Sequence, residues 1–242
     1  MSTPRFYLAQ PLAPGARLNL PPGPARHAAR ALRLTPGAEI VLFDGRGGEY
    51  TARIERIQKE DVAVRVTGFQ PVERESALRV RLAQGISSGE RMDYTLQKAV
   101  ELGVDAIQPI AARRSVVKLN GERADRRIAH WQGVVASACE QCGRNRVPPV
   151  APPLGLADWL GRRPAGRLLL LSPLADQRLA DLPPPTEADT LVAGPEGGFE
   201  ADEIAALHAA RATPVRLGAR ILRTETAALA ALAAMQTLWG DF

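Results

Sequence analysis

The chain has 242 residues, with 31 lysines and arginines against 26 acids, for a net charge of +5; a chain of this length buries about 70–75% of its unfolded surface and needs no covalent staples. Its only cysteines are Cys139 and Cys142 and its histidines stand apart at positions 27, 130 and 208, which excludes a disulfide framework and a complete zinc set. The N-terminus has no basic start followed by an apolar core, and no stretch reaches the roughly 18 apolar residues of a membrane span, so a cytoplasmic protein with no membrane and no metal is expected.

Along the chain, Pro24 to Leu34 reads as a short helix bearing Arg26, His27, Arg30 and Arg33, closed by Thr35-Pro36-Gly37. From Ala38 to Val66 apolar residues alternate at Ile40, Leu42, Tyr50, Ala52, Ile54, Val62, Val64 and Val66, broken by Asp44-Gly45-Arg46-Gly47-Gly48, which predicts a small β-barrel or meander. Polar and proline residues around Gln70 to Glu75 mark a boundary, giving domains 1–72 and 73–242. Beyond it Leu78, Val80 and Leu82 start a strand running toward Gly85. Then come a helix near 90–102, a strand at 106–110, a helix at 124–142, strands at 167–172 and 189–193, a helix at 200–210, a strand at 213–217 and a helix at 224–239. Such alternation predicts an α/β fold with a mostly parallel sheet and helices on both faces.

Charge is unevenly spread: residues 1–70 carry +4, residues 71–150 carry +4 and residues 151–242 carry −3. Basic charge confined to the first 150 residues suits a polyanion such as RNA, although surface arginines are most often only a solvated face. In the helix 124–142, Ile128, Trp131, Val135, Cys139 and Cys142 fall on one apolar stripe, so both thiols are expected to be packing residues. In the last helix Ala227 to Met235 is almost uninterruptedly apolar, which predicts burial on every side, in the core or against a second copy of the chain.

Two glycine-containing turns carry the chemistry: Gly194-Pro195-Glu196-Gly197-Gly198-Phe199, and Leu217-Gly218 running on to Arg223-Thr224-Glu225-Thr226. Each follows an apolar run and precedes a helical pattern, so both belong at the end of a sheet where open α/β domains bind ligands. No Lys-Ser/Thr follows Gly198, which excludes a Walker loop, and the spacing is not that of a dinucleotide fingerprint. The acids Glu196, Glu200, Asp202 and Glu203 disfavour an anion and suit a ligand carrying positive charge, S-adenosylmethionine being one. A plain strand-to-helix turn whose acids favour a helix N-terminus fits the same residues.

These turns, together with Arg5-Phe6-Tyr7, His27 through Leu32-Arg33, Phe43-Asp44-Gly45, Gln97 through Val104, Arg114 through Lys118 and Glu140 through Arg144, resemble the RsmE family of the SPOUT superfamily along nearly the whole chain. The departures are mild: Cys142 stands where serine is common, Ala31 where valine is usual, and Arg113 where an acid often precedes Arg-Ser. The resemblance implies a SPOUT α/β knot, trefoil-knotted, preceded by a PUA-like RNA-binding β-barrel, and a homodimer that transfers a methyl group from S-adenosylmethionine to N3 of a uridine in 16S ribosomal RNA. It maps the cofactor to Leu171, Gly194, Pro195, Glu196, Gly197, Gly198, Leu217, Gly218, Ile221, Leu222, Thr226 and Ala227.

Methylating N3 requires loss of a weakly acidic imide proton and stabilisation of charge on the flanking carbonyl oxygens. Arg223 is the candidate for the second task, against a structural pairing with Glu225 or Glu196; the base stays open. Candidate RNA contacts are Arg26, His27, Arg30 and Arg33, then Arg91, Lys98, Arg114, Lys118 and Arg144. A ribose 2′-O-methyltransferase and a non-catalytic assembly factor are the alternatives, with a Rossmann-type methyltransferase as a third, which would place its glycine-rich turn after the first strand of the sheet rather than beyond position 190.

Overall fold

The computed structural model describes residues 3–115 and 121–242. They form two compact units, one of Met1–Glu75 with Ala136–Val147, the other of Ser76–Val135 with Pro148–Phe242.

The first unit holds β1 (Arg5–Tyr7), β2 (Arg17–Asn19), α1 (Pro22–Arg26), β3 (Glu39–Phe43), β4 (Glu49–Gln58) and β5 (Asp61–Gln70). Its sheet runs β1-β3-β4-β5-β2, with β1 parallel to β3 and the other pairs antiparallel. The alternation seen in the sequence is the burial pattern: Ile40, Leu42, Ala52, Ile54, Val62, Val64 and Val66 join Phe6 and Leu8 in one core. β1 and β2 had no sequence signal because three residues do not complete a recognisable alternation. The helix expected at 24–34 starts at Pro22 and widens into a π turn over His27–Ala31; Arg33 then adopts a left-handed φ of 50° that ends it.

The unit also takes in residues beyond the expected boundary. Arg5 Nη1 pairs with Glu49 at 2.6 Å while its Nη2 donates to Asn145 Oδ1 at 2.7 Å, and Asn145 Nδ2 donates to the Val72 carbonyl at 2.6 Å. The Tyr7 backbone N–H donates to Glu140. Arg144 is 6% exposed and its guanidinium grips both oxygens of Glu75. Arg144 is thus a structural residue of the first unit, not an RNA contact of the second; an isolated arginine in a sequence gives no sign of the carboxylate 69 residues away that buries it.

The second unit contains β6 (Val80–Gly85), α2 (Gly89–Glu101), β7 (Ala106–Ala111), α3 (Glu122–Cys142, its last turns in the first unit), β8 (Leu154–Gly155), α4 (Leu156–Leu160), β9 (Leu168–Leu171), β10 (Asp189–Ala193), α5 (Ala201–Ala209), β11 (Thr213–Val215) and α6 (Thr224–Trp239). All neighbours in the order β11-β9-β10-β6-β7-β8 are parallel. The chain winds one way from β6 to β8 and then crosses to the other side of β6, which makes the switch in direction at which such sheets bind ligands. α2 buries Met92, Leu96, Ala99 and Val100, a helical stripe.

Two packing expectations change. α6 is not buried all round: Ala228, Ala231, Leu232, Met235 and Gln236 form one buried stripe, while Leu238 is 44% exposed. Of the two thiols only Cys139 is fully buried, and burial pushes its pKa up to about 12; Cys142 is half-buried. No helix of the described residues is long and apolar enough to cross a membrane.

Candidate active site

Strands β6, β9, β10 and β11 all end on one edge of the second sheet. Beyond them Ser172-Pro173-Leu174, Gly194 to Phe199 and Leu217 to Arg223 surround a cavity of about 540 Å³, within the roughly 300–1,000 Å³ typical of small-molecule sites. Leu170, Leu171, Phe199, Val215, Leu217 and Leu222 give it apolar walls, and Arg91, Glu196, His208, Arg220, Arg223 and Glu225 are the charged or titratable residues that line it.

The loop after β10 sits so close to the end of β6 that only glycine fits there. A Cβ on Gly85 would lie 2.3 Å from the Pro195 nitrogen. Gly198 closes the turn at φ +69°, its N–H donating to the Pro195 carbonyl at 2.9 Å, and Gly218 at φ +117° turns the second loop. A buried relay ties three segments together: Gln84 Nε2 donates to Thr224 Oγ1 at 2.9 Å, and Thr224 Oγ1 donates to the Gly194 carbonyl. The start of α6 is thereby fastened to the first glycine turn and to β6.

Glu196 reaches across to the N-terminus of α2. Its Oε1 accepts from the Ser88 N–H and hydroxyl, each at 2.9 Å, and from Arg91 at 3.2 Å. Burial alone would raise its carboxyl, but these hydrogen bonds outweigh burial and hold it below the usual carboxylate range. Glu196 therefore caps a helix that begins 107 residues before it as well as lining the cavity.

Of the residues mapped to the cofactor, Leu171, Gly194, Pro195, Glu196, Gly198, Leu217, Gly218, Ile221, Leu222 and Ala227 line this cavity. Gly197 and Thr226 do not. Gly197 faces Arg114, whose Cβ would be 2.9 Å from a Cβ placed there and whose Nη1 donates to the Gly197 carbonyl at 3.1 Å; Thr226 is exposed on α6. The acids read together in the sequence separate: Glu200 and Glu203 form a capping box on α5, Asp202 pairs with Arg113, and of the four only Glu196 lines the cavity. The sequence missed the contribution of Ser172 to Leu174, Arg91, Glu225 and the α5 residues Ile204 and His208. The apolar run before Ser172 was the one available signal, since the residues after a parallel strand belong to the same edge.

Arg223 lines the cavity and makes no ion pair or side-chain hydrogen bond among the described residues, whereas the pairings with Glu225 and Glu196 left open by the sequence are both absent. In the first unit Arg26, His27, Arg30 and Arg33 are exposed, with His27 edge-on to Phe6 and Arg30 paired to Glu60 at 2.6 Å. In the second, Arg91 is tied to Glu196, Arg114 to Gly197 and Glu200, and Lys98 to Glu101 at 2.7 Å, which raises the pKa of its ammonium. Lys118 lies outside the described residues. No group of three or more His, Cys, Asp or Glu among the described residues is placed to hold a metal ion.

Comparison with known proteins is consistent along the whole chain. Residues 74–236 match the profile of an RNA methyltransferase domain, and residues 25–67 that of an RNA methyltransferase PUA domain. The crystal structure of a ribosomal RNA small subunit methyltransferase E from Neisseria gonorrhoeae, bound to S-adenosyl methionine, is 46% identical, covers 100% of both chains and superposes with a TM-score of 0.92. A Legionella pneumophila protein solved in complex with the bound cofactor SAM is 39% identical over 100% of both chains, with a TM-score of 0.96. The ribosomal RNA small subunit methyltransferase E of Buchnera aphidicola subsp. Schizaphis graminum is 30% identical over 98% of this chain and 97% of its own. With its parallel α/β domain preceded by a PUA domain, the chain belongs to the ribosomal RNA small subunit methyltransferase E family, of SPOUT fold.

Proposed function

We propose that this chain uses S-adenosylmethionine to methylate N3 of a specific uridine in small-subunit (16S) ribosomal RNA. The observation that carries this reading is the cavity at the switch in the sheet, with Arg223 lining it, whose side chain makes no ion pair or hydrogen bond among the described residues. The residues present suit the donor. Apolar walls fit a nucleoside, the backbone of two glycine turns fits polar groups that need close approach, and the carboxylate of Glu196 fits a ligand whose sulfonium and ammonium outweigh its carboxylate. When bound, the donor supplies a methyl group activated by positive sulfur.

The protein's own part is positioning and electrostatics. Arg223 faces the developing negative charge on the uracil oxygens, and the Gln84–Thr224–Gly194 relay holds the helix that presents it. Phosphate contacts from Arg26, His27, Arg30 and Arg33, and from Arg91, Lys98 and Arg114, position the RNA, with the uracil unstacked into the cavity. The working form is a homodimer in the cytoplasm, acting on RNA within the small ribosomal subunit, with the C-terminal segment knotted as in other SPOUT enzymes. Leu174 and Ile221, 91% and 85% exposed at the cavity mouth, and the uncovered faces of α6 supply apolar surface for a second copy.

The test is to incubate the protein and labelled S-adenosylmethionine with naked ribosomal RNA and with unmethylated small subunits, then identify the product nucleoside by mass spectrometry. N3-methyluridine from the subunit is the expected product. A 2′-O-methylated nucleoside, or no cofactor binding at all, replaces this reading with one of its two rivals.

A further inference from the structure

Methylation at N3 releases a proton, and an acceptor within the cavity has to be found for it; this inference rests on the N3 reading above. The titratable side chains that line the cavity are Arg91, Glu196, His208, Arg220, Arg223 and Glu225. The guanidinium groups of the three arginines are donors only and accept nothing. Glu196 is engaged by Ser88 and Arg91 at the N-terminus of α2. His208 lies exposed in the last turn of α5.

Glu225 is different. It stands in the first turn of α6, two residues after Arg223, and forms no ion pair among the described residues. Its Oε2 is buried with no hydrogen-bond partner among the described residues. An acceptor left buried and unsatisfied costs about 1–3 kcal/mol, more for a charged group, and such an oxygen calls for a donor that the protein itself does not supply. The imide N–H of uracil is a donor of that kind.

We propose that Glu225 is the catalytic base that takes the N3 proton. The N3–H bond breaks toward the carboxylate as an O–H bond forms on it. The electron pair freed on N3 makes the bond to the methyl carbon, and the carbon–sulfur bond breaks with its pair remaining on sulfur. One carboxylate and one sulfonium thus become a carboxylic acid and a neutral thioether, and charge balances. Because the imide is a much weaker acid than a carboxylic acid, proton transfer runs together with methyl capture rather than ahead of it. Arg223, two residues before, meets the charge that builds meanwhile on the uracil oxygens.

The experiment measures single-turnover methylation against pH at saturating S-adenosylmethionine, with cofactor affinity by calorimetry, for the full-length wild type, Glu225→Gln, Glu225→Asp and His208→Gln. Glu225→Gln is expected to bind the cofactor within about twofold of wild type, which also shows that it folds, and to lose roughly 100-fold or more in rate. Its rate recovers as pH rises and the imide ionises unaided. Glu225→Asp, which keeps a carboxylate, retains an intermediate rate. Glu225→Gln at the wild-type rate overturns the proposal, as does a defect confined to cofactor affinity, or a loss carried by His208→Gln instead. A wild-type product methylated on another atom overturns the N3 reading and this proposal together, whereas N3-methyluridine from a fully active Glu225→Gln overturns this proposal alone.

Discussion

Two polar regions, one in each unit, spend their charges in opposite ways. Around Glu49 and Asn145 the partners close on one another: Glu49 accepts from Arg5, Arg74 and Asn145, and Arg144 from the same stretch is buried against Glu75. At the cavity of the second unit, the Arg223 side chain makes no ion pair or hydrogen bond among the described residues, and Glu225 keeps a buried oxygen unsatisfied among them. An open cation and a carboxylate with a buried unsatisfied oxygen, two residues apart at the lining of one cavity, are placed to meet something that is not protein. Number of charges does not separate structure from function here, nor does pairing alone, since Arg5 Nε in the first network is also buried without a partner among the described residues; an open group at the wall of a cavity does.

The largest test of that contrast is removal of a member of the closed network. Arg144→Ala leaves Glu75 without its buried partner, at an expected cost of about 3–5 kcal/mol, which at about 2–4 °C per kcal/mol lowers Tm by roughly 10 °C. Activity per folded molecule should stay at the wild-type level, as thermal melting and a methylation assay well below Tm will show. Loss of activity without loss of Tm would erase the distinction between the regions.

Arg223→Ala is the reverse case. We expect a fall of about 10²–10³-fold in single-turnover rate, the effect of deleting one charge-stabilising donor, with Tm and cofactor affinity nearly unchanged. If the variant melts well below wild type, Arg223 belongs with the structural arginines.

Glu196 stands between the two classes, since it both lines the cavity and caps α2. Its carboxyl is held below the usual range in the folded protein, so its contribution is present above the unfolded-state pKa and is lost as pH falls through the folded-state value. The difference in Tm between wild type and Glu196→Gln should therefore shrink steadily on acidification below the ordinary carboxylate range. A difference independent of pH would show that the side chain's packing, not its charge, holds the cap.

The smallest effect is expected at the exposed patch of the first unit. Arg26→Ala should lower the slope of log affinity against log salt by about one for ribosomal RNA, with Tm unchanged. An unaltered slope would remove Arg26 from the phosphate contacts.

Much of this organisation was legible in the chain itself. Alternating apolar residues placed β3, β4 and β5, and helical spacing placed α2, α3 and α6, because those periods follow from backbone geometry and from which face meets the core. The glycine turns were legible for a similar reason, since strand–glycine–helix patterns are local. Three-residue strands such as β1 and β2 carry too little pattern to be read, and the last turns of α3 gave no hint that they belong to the first unit.

By itself, then, the sequence determined the order and type of the long elements and where backbone had to turn tightly, because both depend on residues a few positions apart. Tertiary structure alone decided the fate of each charge. Arg144 and Glu75 are 69 residues apart, Glu196 caps a helix from 108 residues away, and Gln84 and Thr224 are separated by 140. Whether an arginine is buried in a pair or left open at a cavity depends on which distant carboxylate arrives beside it. That is a property of the folded chain, in which desolvation makes an incomplete pairing costly enough to be meaningful.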